Sequence, residues 1–201
     1  MKKILLILLA AAIQVAAMAQ TPQQVLDQCV AALKGSGPVS ATYAMSSQQG
    51  SSSGTIVMNG NKFRILSGDV KCWFDGTTMW TYSRATGEVS VTTPTASDLA
   101  MTSPYAIAQN YKSGFTAAKS TASGSTYVAK LTPKRRSNIT QALLTVNTSS
   151  RRISKMVVHT KNAGIVTITI SGYKTKVSAG QSTFKFDKKL VPAGTQVVDL
   201  R

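Results

Sequence analysis

Cys72-Trp73-Phe74-Asp75-Gly76-Thr77-Thr78-Met79-Trp80-Thr81-Tyr82 is the stretch that decides the fold. It holds both tryptophans of the chain and two further aromatic side chains around one Asp-Gly pair. Asp-Gly tolerates the positive φ angles of a tight hairpin turn, so the flanking apolar runs are predicted to form two antiparallel strands. The hairpin therefore concentrates apolar side chains, and the remaining sequence indicates how they are used.

The N-terminus has the pattern of a secretory signal. Lys2 and Lys3 precede an apolar run over residues 4–12, and Ala17-Met18-Ala19 fits a cleavage site. This pattern predicts a cleaved signal sequence at residues 1–19 and a single mature domain at residues 20–201. No cysteine follows the cleavage site, so lipidation of the mature chain is not expected. An uncleaved N-terminal anchor is the alternative.

Strand signals separated by turn residues run along most of the chain. A helix is predicted from Thr21-Pro22 to Gly35, and one or two short helices at residues 97–111. Residues 48–53 are predicted to form a polar loop, and residues 183–186 the last strand. The predicted fold is mainly β (α+β): an incomplete, strongly curved antiparallel β-barrel of about eleven strands with a helical lid over the concave face.

The chain is strongly basic, with 23 Lys and Arg against 7 Asp and Glu and a formal net charge of +16. Such a surface attracts anionic partners. Nucleic acid is excluded as the partner, because the chain is predicted to be exported and its basic clusters, Lys134-Arg135-Arg136 and Arg151-Arg152, lie away from the tryptophans. Each cluster is either a solvated loop or a docking patch.

The sequence offers no catalytic constellation, no metal site and no cofactor motif. His159 is the only histidine, and no G-x-S-x-G elbow occurs. The acidic residues fall mostly at turns or helix edges, and Asp75 suits the hairpin turn. We therefore predict that the protein is not an enzyme.

Cys29 and Cys72 are the only cysteines. In an exported chain they permit one disulfide, which would join the first helix to the central hairpin. Both also occupy apolar positions, so two buried thiols are the alternative.

The apolar faces of the strands have two interpretations. They are either an ordinary core filled by the helices or the wall of a cavity for an acyl chain. Four stretches bear on this choice: residues 62–64, the motif D-G-x-x-x-W-x-Y at residues 75–82, Ser103-Pro104-Tyr105, and F-x-F…P-x-G-x-x-V-x-D at residues 184–199. In this order and spacing, the chain resembles the periplasmic outer-membrane lipoprotein carrier family, the LolA-like proteins.

The resemblance implies a monomeric periplasmic carrier whose cavity holds the acyl chains of lipoproteins. Members receive cargo from an inner-membrane lipoprotein-releasing transporter and pass it to an outer-membrane acceptor, with transient contact to the membrane surface and no covalent chemistry. The alternative is a non-carrier envelope protein of the same fold that senses or binds lipids, lipidated ligands or a partner protein.

Phe63 matches the cavity phenylalanine of the family, and strand alternation adds further cavity and lid positions. These are Ile65, Phe74, Trp80, Tyr82, Leu99, Met101 and Ile107. Many members carry Lys-Arg-Pro just ahead of the phenylalanine, with the arginine holding the lid. Here the stretch is Asn59-Gly60-Asn61, one residue shorter, so that latch is absent.

Overall fold

The computed structural model describes residues 20–201, apart from the side chain of Ser97; the predicted signal sequence, residues 1–19, lies outside the described residues. The described chain contains twelve strands and three α-helices. Strands β1 to β12 span Val39–Ser47, Gly50–Asn59, Lys62–Ser67, Val70–Phe74, Met79–Ser83, Glu88–Thr92, Phe115–Ser123, Thr126–Pro133, Ile139–Asn147, Arg152–Thr160, Ile165–Thr175 and Gln196–Asp199. Helices α1, α2 and α3 span Pro22–Gly35, Ala96–Thr102 and Pro104–Gly114.

Helix α1 begins where the sequence predicts. The Thr21 hydroxyl accepts from the Gln24 backbone N–H at 3.2 Å, and the Gln24 side chain accepts from the Thr21 N–H at 2.9 Å. This capping box satisfies donors that the first helical turn leaves unpaired. Val25, Leu26, Cys29 and Leu33 form its buried stripe.

The strands form one open sheet in the order β12-β6-β5-β4-β3-β2-β1-β11-β10-β9-β8-β7. All neighbours are antiparallel except β12, which pairs with β6 in parallel. The predicted antiparallel sheet of about eleven strands is thus confirmed, and β12 is the addition. Two local predictions are wrong: Gln181–Phe184 is a 3-10 helix, and β1 and β2 continue through most of the predicted loop, because Ser47 pairs with Gly50.

The face of the sheet that α1, α2 and α3 cover is called the helix face here. It carries the larger buried cluster, to which both the helices and the sheet contribute. Fully buried members include Leu26, Met58, Ile107, Leu144 and Ile168. The helices therefore fill most of this face.

The other face, called the C-terminal face, is partly covered by residues 181–191. Trp73 is 0 % exposed there, and the Phe186 ring lies 5.5 Å from it at 84°. Lys71 Nζ also donates to the Leu190 carbonyl oxygen. Strand β4 is consequently buried on both sides, with Cys72 and Phe74 facing the helices and Trp73 facing the C-terminal segment.

The disulfide that the sequence permits is not present, because Cys29 and Cys72 are both free and buried. Burial away from water raises the pKa of each thiol to about 12. The alternative of two buried apolar thiols is therefore the one that the structure supports.

Candidate functional site

The central hairpin and its neighbour β3 build the floor of the candidate site. Phe63 pairs with Phe74, and Ile65 pairs with Cys72. Residues that pair directly across two strands project from the same face, so all four side chains reach the helix face. The Phe63 and Phe74 ring centroids lie 5.3 Å apart. This part of the sheet is an aromatic and aliphatic surface facing the helices.

The turn between β4 and β5 has the structural role predicted for Asp75. Its carboxylate accepts from the backbone N–H groups of Thr77 and Thr78 at 3.0 and 2.9 Å. Gly76 has a φ of 106°, which side chains other than glycine rarely adopt. The turn fixes the register in which Phe74 faces Met79.

A cavity of about 150 Å³ lies between this floor and α2. Its walls are mainly apolar, and they come from β1 to β5 and from the C-terminal end of α2. The lining residues are Tyr43, Met45, Ser52, Ile65, Ser67, Val70, Cys72, Thr81, Met101 and Thr102. The site can therefore accept a small apolar group.

Few polar atoms of the cavity wall are free to bind a ligand. The Tyr43 hydroxyl donates to Met45 Sδ at 3.6 Å, and the Thr81 hydroxyl donates to Cys72 Sγ at 3.8 Å. Burial raises the pKa of Tyr43 well above its ordinary value, so this hydroxyl stays neutral. Ser52 Oγ is the exception, because it is buried without a hydrogen-bond partner among residues 20–201. The wall thus carries no charge, and nearly all of its polar atoms already form hydrogen bonds.

Helix α2 closes the cavity as a short lid. Asp98 and Thr95 form a capping box at its N-terminus, and Thr102 bonds to the Asp98 carbonyl within the helix. Leu99 is buried against the core, whereas Met101 is half-buried. The lid is therefore held on the sheet mainly by apolar contact.

Helix α3 is anchored to other elements by hydrogen bonds at both ends. The Ile153 backbone N–H donates to Tyr105 Oη at 3.2 Å, and the Tyr173 hydroxyl donates to the Ile153 carbonyl oxygen at 2.5 Å. Burial raises the pKa of Tyr105. Near the other end, Lys112 Nζ lies 2.8 Å from the Asp27 carboxylate of α1. Extended backbone at Ser103 separates the fixed α3 from α2.

The structure brings six of the eight predicted cavity and lid residues to one place. Phe63, Ile65, Phe74, Leu99 and Ile107 are members of the buried cluster on the helix face, and Met101 packs against it. Of the six, Ile65 and Met101 line the cavity itself. The other four form the packed surface around it.

The predicted placement of Trp80 and Tyr82 is wrong. Trp80 pairs with Trp73, and Tyr82 pairs with Lys71, so both rings lie on the C-terminal face. The connection from β4 to β5 pairs Phe74 with Met79, so these two side chains share the helix face. Because side chains alternate along a strand, the next residue, Trp80, points to the opposite face. The run Cys72-Trp73-Phe74 was the available signal, since three consecutive apolar residues indicate a strand buried on both faces.

Sequence reasoning also missed several cavity residues, above all Tyr43 and Met45 of β1. The alternation of Val39, Ala41, Tyr43 and Met45 indicates one buried face, but that pattern is common to every half-buried strand. Nothing in the sequence shows that this end of β1 borders a cavity whereas the Val39 end is packed.

The family described as "Outer membrane lipoprotein carrier protein LolA" matches residues 12–162, well over half of the chain. The chain belongs to this LolA family. No curated protein has significant sequence similarity to it. No helix in the described part of this LolA-family chain has the length and apolar character that crossing a membrane requires.

Several solved structures resemble this chain at low sequence identity. An uncharacterized conserved protein from Thermus thermophilus is 12% identical, with a TM-score of 0.58 over 88% of this chain and 98% of the other. The LolA superfamily protein NE2245 from Nitrosomonas europaea is 13% identical, with a TM-score of 0.48 over 84% and 99% of the two chains. In a MucA/MucB complex from Pseudomonas aeruginosa, one chain is 10% identical, with a TM-score of 0.44 over 85% of this chain and 62% of that chain.

Proposed function

We propose that this protein carries the acyl chains of lipoproteins through the periplasm. In this proposal it receives lipoproteins from an inner-membrane lipoprotein-releasing transporter and delivers them to an outer-membrane acceptor, touching each membrane surface transiently. Membership of the LolA family supports the proposal. The predicted cleaved signal sequence at residues 1–19 supplies the export that the role needs.

The cavity beneath α2 is the observation that carries the proposal. It is apolar, it borders the Phe63 and Phe74 surface, and one side is formed by the half-buried Met101 of the lid. Methionine adapts its shape to irregular apolar ligands because its side chain is unbranched and flexible. An acyl chain inserted here meets no charge and few free hydrogen-bonding groups.

The cavity must enlarge before it can hold an acyl chain. Its volume of about 150 Å³ equals that of an engineered cavity in another protein that admits benzene. Only a short part of an acyl chain fits that space, so α2 must move away from the sheet. Ser103, which has extended backbone and a buried hydroxyl without a partner among the described residues, is the pivot we propose.

Burial of an acyl chain that would otherwise meet water can offset the cost of opening. Removing the Leu99 side chain from the core costs about 1.5–3 kcal/mol, whereas burying one methylene of an acyl chain gains about 0.8 kcal/mol. Burial of about two to four methylenes therefore offsets the loss of this contact. Without cargo the lid stays closed over the core.

Transfer by this route is partition between binding sites and involves no bond making or breaking. The protein acts as a binding protein and not as an enzyme, and it uses no cofactor. The thiol nearest the cargo, Cys72, is buried with a raised pKa and is therefore a poor nucleophile at neutral pH. Delivery then requires only that the acceptor bind the acyl chains more tightly.

Release of lipoproteins from spheroplasts tests the proposal. Purified protein should release lipoproteins into solution, and native mass spectrometry should detect bound lipid. Met101→Glu places a charge in the cavity wall, and we expect release to fall by at least about tenfold because an unpaired charge is costly in an apolar site. Met79→Glu is the matched control, because Met79 is also half-buried against the same cluster but does not line the cavity.

Two outcomes contradict the carrier role. One is release by the Met101→Glu variant at the level of the unchanged protein, and the other is the absence of both release and bound lipid from the unchanged protein. The second result would favour the non-carrier alternative, in which the fold binds a partner protein.

A further inference from the structure

An open groove crosses the C-terminal face, on the side of the sheet opposite the acyl-chain cavity. It lies between β3 and β4 and the segment that contains both 3-10 helices, Gln181–Phe184 and Lys188–Leu190. Its volume is about 550 Å³. The lining residues are Arg64, Trp73, Ser182, Thr183, Lys185, Phe186, Asp187 and Lys188. The proposed carrier role makes no use of this groove.

The groove is rich in hydrogen-bond donors and in positive charge. Arg64, Lys185 and Lys188 contribute three cations, and Ser182 and Thr183 contribute two hydroxyl groups. The only carboxylate of the lining is that of Asp187, which accepts from the Lys189 backbone N–H at 2.9 Å. Charge in the groove is therefore not balanced by the protein.

Two buried donors of the groove residues have no acceptor among residues 20–201. They are Nε of Arg64 and Nε1 of Trp73, whose residues pair directly across β3 and β4. Arg64 also forms no ion pair within the described part of the chain. Buried donors are almost always paired in folded proteins, and a buried donor without an acceptor destabilises the structure. An acceptor on a bound ligand would therefore satisfy both donors.

We infer that the groove binds a phosphate group, held between the Arg64 guanidinium and the ammonium groups of Lys185 and Lys188. Arginine suits phosphate because its planar fork donates two parallel hydrogen bonds, and lysine adds a compact charge. The three cations and two hydroxyls exceed what the two oxygens of one carboxylate can accept, whereas a phosphate offers more acceptor positions. The aromatic pair of Trp73 and Phe186 forms an apolar floor that is compatible with an organic phosphate.

Calorimetric titration with inorganic phosphate tests the inference. We expect saturable binding at one site, weakened about tenfold or more by Arg64→Gln, because a charge-assisted hydrogen bond is lost. Lys185→Gln should also weaken binding, and Lys185 is exposed, so this variant does not depend on the folding of the Arg64 variant. Arg135→Gln removes the same charge from a loop outside the groove and should change nothing.

The NMR resonance of the Trp73 indole N–H gives a second readout. It is assigned as the indole resonance that remains in the Trp80→Phe variant. Phosphate should shift this resonance in the unchanged protein and not in the Arg64→Gln variant. Vesicles of phosphatidylglycerol, with phosphatidylcholine as reference, distinguish a lipid headgroup from the free ion as the source, and groove-dependent binding of either supports the site. Equal binding of acetate, equal weakening by Arg135→Gln, or no binding in any arm would overturn the inference.

Discussion

The side-chain amide of Gln109 donates a hydrogen bond to the carbonyl oxygen of Gly60 at 2.7 Å. Gly60 lies in the two-residue turn between Asn59 and Lys62, where the family's Lys-Arg-Pro is absent. Gln109 belongs to α3, so this bond fastens the helical segment to the tip of the β2–β3 hairpin. The bond has a neutral amide donor on the helix and a backbone acceptor on the turn.

Gln109→Ala should loosen this junction. Loss of one neutral hydrogen bond lowers the free energy of unfolding by about 0.5–1.5 kcal/mol. Hydrogen exchange measured by mass spectrometry should speed up at residues 59–62 and along the α2–α3 segment. Asn110→Ala is the control, because the Asn110 side-chain amide donates to the Ala106 carbonyl oxygen within α3 and not to the turn, and the variant should leave exchange at the turn unchanged. Unaltered exchange in the Gln109 variant would show that the bond has no latching role.

Tyr105→Phe should destabilise the protein through the backbone of β10. The variant leaves the buried Ile153 N–H without its acceptor, at a cost of about 1–3 kcal/mol in the free energy of unfolding. Thermal unfolding should show the loss as a lower Tm. Tyr127→Phe removes the hydroxyl of another buried tyrosine, which makes one long bond of 3.4 Å to the Gln20 carbonyl oxygen, and its effect should be clearly smaller. Equal effects of the two variants would contradict the proposed anchoring of α3.

Phe186→Ala should uncover Trp73. The pair contributes apolar burial and an edge-to-face contact, so we expect a loss of about 1–3 kcal/mol in the free energy of unfolding. Tryptophan emission should move to longer wavelength as water reaches the indole. Leu200→Ala removes an exposed apolar side chain, and neither stability nor emission should change appreciably. An unshifted emission spectrum for Phe186→Ala would refute the covering role of residues 181–191.

The two buried thiols predict a stability change at alkaline pH. Their pKa values of about 12 in the folded protein exceed the ordinary cysteine value of about 8.5. Between the two pKa values a thiol keeps its proton in the folded protein and loses it on unfolding. The contribution of each thiol to stability therefore falls as pH rises from about 9 to 12. Denaturant unfolding of a Cys29→Ala, Cys72→Ala double variant should show a shallower decline over this range. Ellman's reagent should label neither thiol in the native unchanged protein at pH 8 and both after unfolding.

Much of the fold was accessible from local sequence signals. The helix start at Thr21 and the Asp75-Gly76 turn both depend on short-range chemistry that a single sequence displays. Strand alternation likewise put Phe63, Ile65 and Phe74 on one face, the one that the helices cover, because side chains alternate along each strand whatever its neighbours are.

What local signals could not supply was the covering of the second sheet face. The predicted fold has a cover over the concave face alone, which left one burial place for Trp80 and Tyr82, whereas residues 181–191 create another. That segment follows β4 by more than a hundred positions, and its 3-10 helices have no apolar periodicity to reveal where they pack. The cavity beneath α2 depends in the same way on how tightly distant elements meet, which a pattern along one strand does not encode.

Strand β12 lies near the C-terminus and pairs in parallel with β6. Because the chain is synthesised from its N-terminus, this pairing can form only last. Strands β1 to β11 can assemble from consecutive hairpins and a single closure between β1 and β11. The exposed edge of β6 and the indole of Trp73 must wait for the final residues to arrive. A chain cut short after Thr175 would keep every residue of the acyl-chain cavity yet present an open edge and an uncovered tryptophan, both of which promote aggregation. The final stretch of the sequence thus protects a surface that it did not help to build.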